Sequence, residues 1–194
     1  MKKILVMILA LCCAFAMFSC GEAEYIGDFN NAIKATEPTV VKVEVVAKSA
    51  LGELNSVYTT TYNEDGSFAI EYTKESFNSA SDGESDDVIK TETGSVSCDA
   101  NGKYSDGGDI AGTLADAKGV SLKLSEKKMK ASVSADGNVL TATVAAKNTA
   151  SVFGVEYAGD VTLVITKAQD KIVSYTMSYQ ANETTAISVV CTFK

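Results

Sequence analysis

The chain has 194 residues, 46% of them apolar and 22% charged, with 25 acids against 17 bases. It contains no histidine and no tryptophan, and every one of its bases is a lysine. These absences exclude histidine-activated nucleophiles, imidazole metal ligands and guanidinium clamps on phosphate or carboxylate, and the acidic balance repels nucleic acid.

The first residues read MKKILVMILALCCAFAMFSCG. Lys2 and Lys3 form a basic start, and an uninterrupted apolar run follows from Ile4 to Phe18. That run falls short of the roughly 20 residues that span a bilayer, and it ends in small residues, the pattern of a secretory signal. Met17-Phe18-Ser19-Cys20-Gly21 resembles the lipobox of bacterial lipoproteins, in which the cysteine after the apolar core is acylated and becomes the new N-terminus. Ser19 and Gly21 fit that pattern, whereas Met17 stands where leucine is usual and Phe18 is bulky for its place. The resemblance implies a signal over residues 1–19, lipidation at Cys20 and a membrane partner reached through the acyl anchor. Two alternatives remain: cleavage after Ala14-Phe15-Ala16 with release of a soluble protein, or an uncleaved anchor. Without its two leader lysines the mature chain carries 15 bases and 25 acids, a net charge of -10.

Residues 20–25 read as a short tether, and residues 26–194 as one β-rich domain. Ile26, Phe29, Ala32 and Ile33 recur at helical spacing, so one amphipathic helix is expected, stopped by Pro38, the only proline. After Pro38 the period becomes two. Val41, Val43, Val45 and Ala47 share one face of a predicted strand over Thr39–Lys48. Leu54–Asn63 and Ser67–Lys74 read as the next strands, joined by a turn at Asn63-Glu64-Asp65-Gly66.

Glu75–Asp87 reads as an acidic loop, and Ile89–Cys98 as a further strand. Ala100-Asn101-Gly102-Lys103 predicts a type I′ hairpin turn, Asp106-Gly107-Gly108-Asp109 opens another loop, and a short helix is expected near 110–118. Val120, Leu122 and Leu124 alternate as a short strand, and Ser125–Lys130 suggests one helical turn. Ala131–Ala135 and Val139–Ala146 form a hairpin about Asp136-Gly137, and Asn148 is placed to cap a short helix ending at Gly154. Asp160–Lys167, Lys171–Gln180 and Thr184–Phe193 read as three consecutive strands. The expected fold is therefore mainly β: an antiparallel meander, curved or half-barrel, of roughly nine strands with one N-terminal helix and short helices between hairpins.

Candidate sites are few. The acidic loop offers oxygens at Asp82, Glu84, Asp86 and Asp87, but lacks the spacing of an EF-hand; a solvated loop is the simpler reading, and no metal site or cofactor is expected. Cys98 and Cys191, the thiols beyond Cys20, could form a disulfide in an exported protein, or could be two buried free cysteines. Tyr58, Tyr62, Tyr72, Tyr175 and Tyr179 sit at alternating strand positions, suited to a ligand groove or to ordinary packing. No catalytic motif is visible, and with 25 acids, chance carboxylate pairs carry little weight.

The N-terminal helix, the long meander and above all the run Asp160–Phe193 resemble the LolA/LppX-like lipoprotein class. The resemblance implies a half-barrel around helices with an apolar cavity for acyl chains, hence a membrane-anchored protein of the cell envelope that binds a lipid-like ligand. A structural or protein-interaction module without a cavity is the alternative that the same strand pattern allows.

Overall fold

The computed structural model describes residues 24–77, 89–105 and 122–194. Its centre is a single open sheet of nine strands in the order β4-β3-β2-β1-β9-β8-β7-β6-β5, every pairing antiparallel. The strands are β1 (Val40–Ser49), β2 (Gly52–Tyr62), β3 (Phe68–Phe77), β4 (Ile89–Cys98), β5 (Lys130–Val133), β6 (Val139–Val144), β7 (Val161–Ala168), β8 (Lys171–Asn182) and β9 (Thr185–Phe193). Two meanders, β1 to β4 and β5 to β9, are thus joined by the pairing of β1 with β9. That junction has high sequence separation: Val43 lies opposite Cys191.

Alternation of side chains gives the sheet two unlike faces. One register row on the inner face runs Gly94, Tyr72, Tyr58, Val43, Cys191, Tyr175, Ile165, Leu140, Val133 across all nine strands. The adjacent outer-face row reads Thr93, Thr73, Val57, Glu44, Val190, Thr176, Val164, Thr141, Ser132. The inner row is apolar and aromatic; the outer row is β-branched and mostly polar, which suits a half-solvated pleated surface.

Helix α1 (residues 24–35) lies on the inner face. Glu24 and Tyr25 are already helical, so they belong to the helix and not to the tether expected from the sequence. Its apolar stripe Ile26, Phe29 and Ala32 is buried, and Phe29 is fully so. Two polar contacts fix the helix. Asn30 donates through Nδ2 to the Leu124 carbonyl (3.0 Å) and accepts from the Leu124 N–H (3.2 Å). Thr36 accepts from the Ile172 N–H at 2.8 Å while donating to Ala32 O, which closes the helix end. Residues 122–125 form no strand, contrary to the expectation from Leu122 and Leu124. Their backbone is bonded to Asn30 and, through the Lys123 N–H, to Val152 O, so it is spent on other elements and not on a ladder.

The turns also correct the sequence reading. At Asp99–Lys103 only Gly102 has positive φ (81°), so the turn is not type I′, which needs two such residues. Asp99 instead receives the Lys103 and Asn101 N–H groups on its carboxylate, the Gly102 N–H on its carbonyl, and donates its own N–H to Lys103 O. The turn at Asn63–Ser67 repeats the backbone bonds, with Gly66 at φ 85°, but there the carboxylate is that of the third residue, Asp65, accepting from Ser67 N and Oγ. Those bonds, the hydroxyl first, hold the Asp65 carboxyl below the usual range.

Helix α2 (Thr149–Phe153) ends, as the sequence suggests, at Gly154 in the left-handed region (φ 74°). Its Asn148 makes no side-chain cap; its Nδ2 instead donates to Lys128 O at 3.0 Å. That bond ties the connection after β6 to the 3₁₀ turn Glu126–Lys128.

Candidate functional site: an apolar cleft beside helix α1

The inner face is packed over most of its width. Val43, Leu140, Val144, Val161, Leu163, Ile165, Met177 and Cys191 are wholly inaccessible. Space remains where α1 ends and the chain turns into β1. There Ile33, Pro38, Leu122, Ile172, Tyr175 and Phe193 surround a cleft of about 200 Å³. Its one hydroxyl from threonine, Thr36, is already bonded on both sides, so the wall presents little unspent polarity. The Tyr175 and Phe193 rings meet at 5.9 Å between centroids and form one side. The cleft is smaller than the roughly 300–1,000 Å³ of ordinary small-molecule sites. It admits an apolar chain end better than a whole polar ligand.

The tyrosines singled out in the sequence lie on this same face but do not form an exposed platform. Tyr58 and Tyr175 are buried in the packed layer. Tyr58 stands opposite Tyr72, and Lys74 places its ammonium 5.8 Å and 5.6 Å from their ring centroids. Tyr72 lies across Gly94: a methyl group there would come within 2.6 Å of Tyr72 Cζ. Beside this cluster Thr60 is 2% exposed and its hydroxyl has no partner.

Cys98 and Cys191 are both free and buried. They stand on β4 and β9, with β3, β2 and β1 between them. At about 4.8 Å per strand the separation is about 19 Å, far beyond the ~7 Å limit for a disulfide. The disulfide reading is therefore replaced by two buried thiols. Burial pushes the Cys191 thiol up to about 11, against a smaller opposing effect of its bond with Tyr175.

Cys20 and its leader, the acidic oxygens at 82–87, and Asp106 and Asp109 lie outside the described residues. Among the described residues no three His, Cys, Asp or Glu side chains gather as a metal site requires, and no helix is long and apolar enough to cross a membrane.

What the sequence reading missed is a cleft of about 440 Å³ lined by Lys127, Lys128, Lys130 and Lys147 together with Glu126 and Asp160. The sequence carries a local signal for it: residues 123–147 hold five lysines and two acids, within a chain whose net charge is -8. The acidic balance of the whole chain is offset locally at this place, because the fold brings lysines from two separate segments together.

No protein-family model matches this chain, and no curated protein is significantly similar to it in sequence.

Proposed function

We propose that the protein is an exported lipoprotein, acylated at Cys20 and held at a membrane of the cell envelope, that accommodates the apolar end of a lipid-like ligand in the cleft beside α1. The observation that carries the reading is the composition of that cleft: aliphatic and aromatic walls, with its threonine hydroxyl already satisfied. Burial of apolar surface, at about 25 cal/mol per Å², supplies the affinity, so the ligand's polar part stays outside. The role is binding, not catalysis: the chain lacks histidine and arginine and shows no motif of an activated nucleophile.

Two measurements test the reading. Mass spectrometry of the membrane-extracted protein should give an acylated N-terminal Cys20; an unmodified cysteine overturns the anchor. A fluorescent dodecanoyl probe should bind saturably at one site, and Leu122→Trp, which fills the cleft, should abolish binding without loss of stability. Non-saturable partitioning, unchanged in that variant, overturns the ligand.

The small volume of the cleft favours a second reading, an envelope structural or protein-interaction module. Co-purification of one stoichiometric protein partner with no lipid would support it over the first.

A further inference from the structure

The lysine cleft lies at the opposite end of the sheet from the first turn of α1. The ring of Tyr25, in the first turn of α1, lies 4.0 Å from where a Cβ on Gly137 would stand, at the β5–β6 turn. Lys130 pairs with Thr143 at the other end of that hairpin. Thr143 lies six steps along the chain from Gly137, most of them in β6, a span of up to about 20 Å at 3.3 Å per residue. The 3₁₀ turn and the β6–β7 connection converge at this far end, held by the Asn148–Lys128 bond and by Asp160, whose Oδ1 accepts the Ala146 N–H at 3.0 Å.

Four lysines from these segments line one cleft. The ion pairs formed among the described residues, Lys42–Glu44 and Lys48–Glu53, involve none of them. Asp160 is engaged with backbone, and Glu126 is the other acid at the rim. At physiological salt the Debye length is about 8 Å, so distant carboxylates do not cancel a patch in contact with a surface. For the same reason the membrane that holds the N-terminus, with about 20 Å of hairpin intervening, contributes little to the charge balance at the cleft.

We propose that this lysine-lined cleft is a docking surface for anionic phospholipid headgroups, presented at the end of the sheet opposite the first turn of α1. The chain would then link the membrane that holds its acyl chain to a second, anionic bilayer surface. The inference rests on the anchor reading above and on charge complementarity: clustered ammonium groups that form no ion pair among the described residues meet phosphate headgroups as point charges.

The test uses the full-length acylated protein reconstituted into phosphatidylcholine vesicles, then mixed with dye-labelled vesicles containing phosphatidylglycerol. Energy transfer between dyes in the two populations should report tethering, which is absent with pure phosphatidylcholine partners and lost in about 0.5 M salt, where screening is short-ranged. Each lysine at such a surface is worth about fivefold in affinity, so Lys128→Glu with Lys147→Glu should weaken tethering at least about 25-fold. Lys171→Glu, at the opposite end of the sheet, should leave it unchanged. Tethering that persists in the double variant, or that is equal with neutral vesicles, overturns the proposal. Protein that fails to enter the neutral vesicles refutes the anchor. The cleft is then judged by co-sedimentation of the same protein with phosphatidylglycerol vesicles, where an unchanged double variant overturns it and a lost interaction supports it.

Discussion

Replacing Phe29 by alanine tests whether α1 is an integral part of the sheet's inner layer. Phe29 has no exposed surface, and Lys167 sits with its ammonium 5.3 Å from the ring centroid on the solvent side. A phenylalanine buries about 150–250 Å², which at about 25 cal/mol per Å² is worth roughly 4–6 kcal/mol before the retained methyl and the compact unfolded state are allowed for. The expected loss is therefore about 3–5 kcal/mol, in line with other buried aromatic truncations and a large share of the 5–15 kcal/mol typical of a domain. The assay is urea unfolding followed by far-UV circular dichroism, since the chain has no tryptophan to report fluorescence. With a slope of about 2 kcal/mol per M, the midpoint should fall by about 2 M. Phe29→Leu should lose less than half as much. A midpoint shift below about 0.5 M in the alanine variant would show that the helix does not contribute to the packed layer, and the account of the inner face would be wrong.

Other expectations follow from single contacts. Asn30→Ala leaves the Leu124 N–H and carbonyl without their partner and should cost about 1–3 kcal/mol in the same assay, whereas an effect near zero would show water replacing both bonds. Thr60→Val removes a buried, unpartnered hydroxyl at constant shape and should raise stability by about 1 kcal/mol; a fall of that size would reveal a hidden bond. Gly94→Ala should be destabilising by about 1–3 kcal/mol through displacement of Tyr72, and a double-mutant cycle with Tyr72→Ala should show strong non-additivity. Cys98 and Cys191 should resist a thiol reagent at pH 8 in the native protein and both react after unfolding, while reagent-blocked thiols without reduction would indicate a disulfide. Because the folded Cys191 pKa is raised from the ordinary 9.0 to about 11, its contribution to stability is intact below pH 9. It is lost as the pH climbs from 9 towards 11, and Cys191→Ala should flatten that alkaline decline.

The sequence by itself determined most of the elements and their faces. Period-two alternation after Pro38 is enough to define which of Val41, Val43, Val45 and their counterparts point inward, because successive residues of a strand must face opposite ways. The helical spacing of Ile26, Phe29 and Ala32, the Gly154 stop and the three closing strands were legible for the same local reason. Turn type was only half legible: Asn101-Gly102 marks a turn, but whether Asn101 takes positive φ depends on the bonds that Asp99 makes around it. Tertiary structure alone decided that β1 pairs with β9, which sets the order of the sheet and leaves β4 and β9 too far apart for Cys98 to meet Cys191. It also decided that Asn30 and Thr36 spend their polar groups on Leu124 and Ile172, and that lysines at 127–130 and 147 line one cleft. Local pattern fixes which way a side chain points. Which strand lies next to it is a choice among long-range pairings, made by the summed burial of both meanders in one apolar layer.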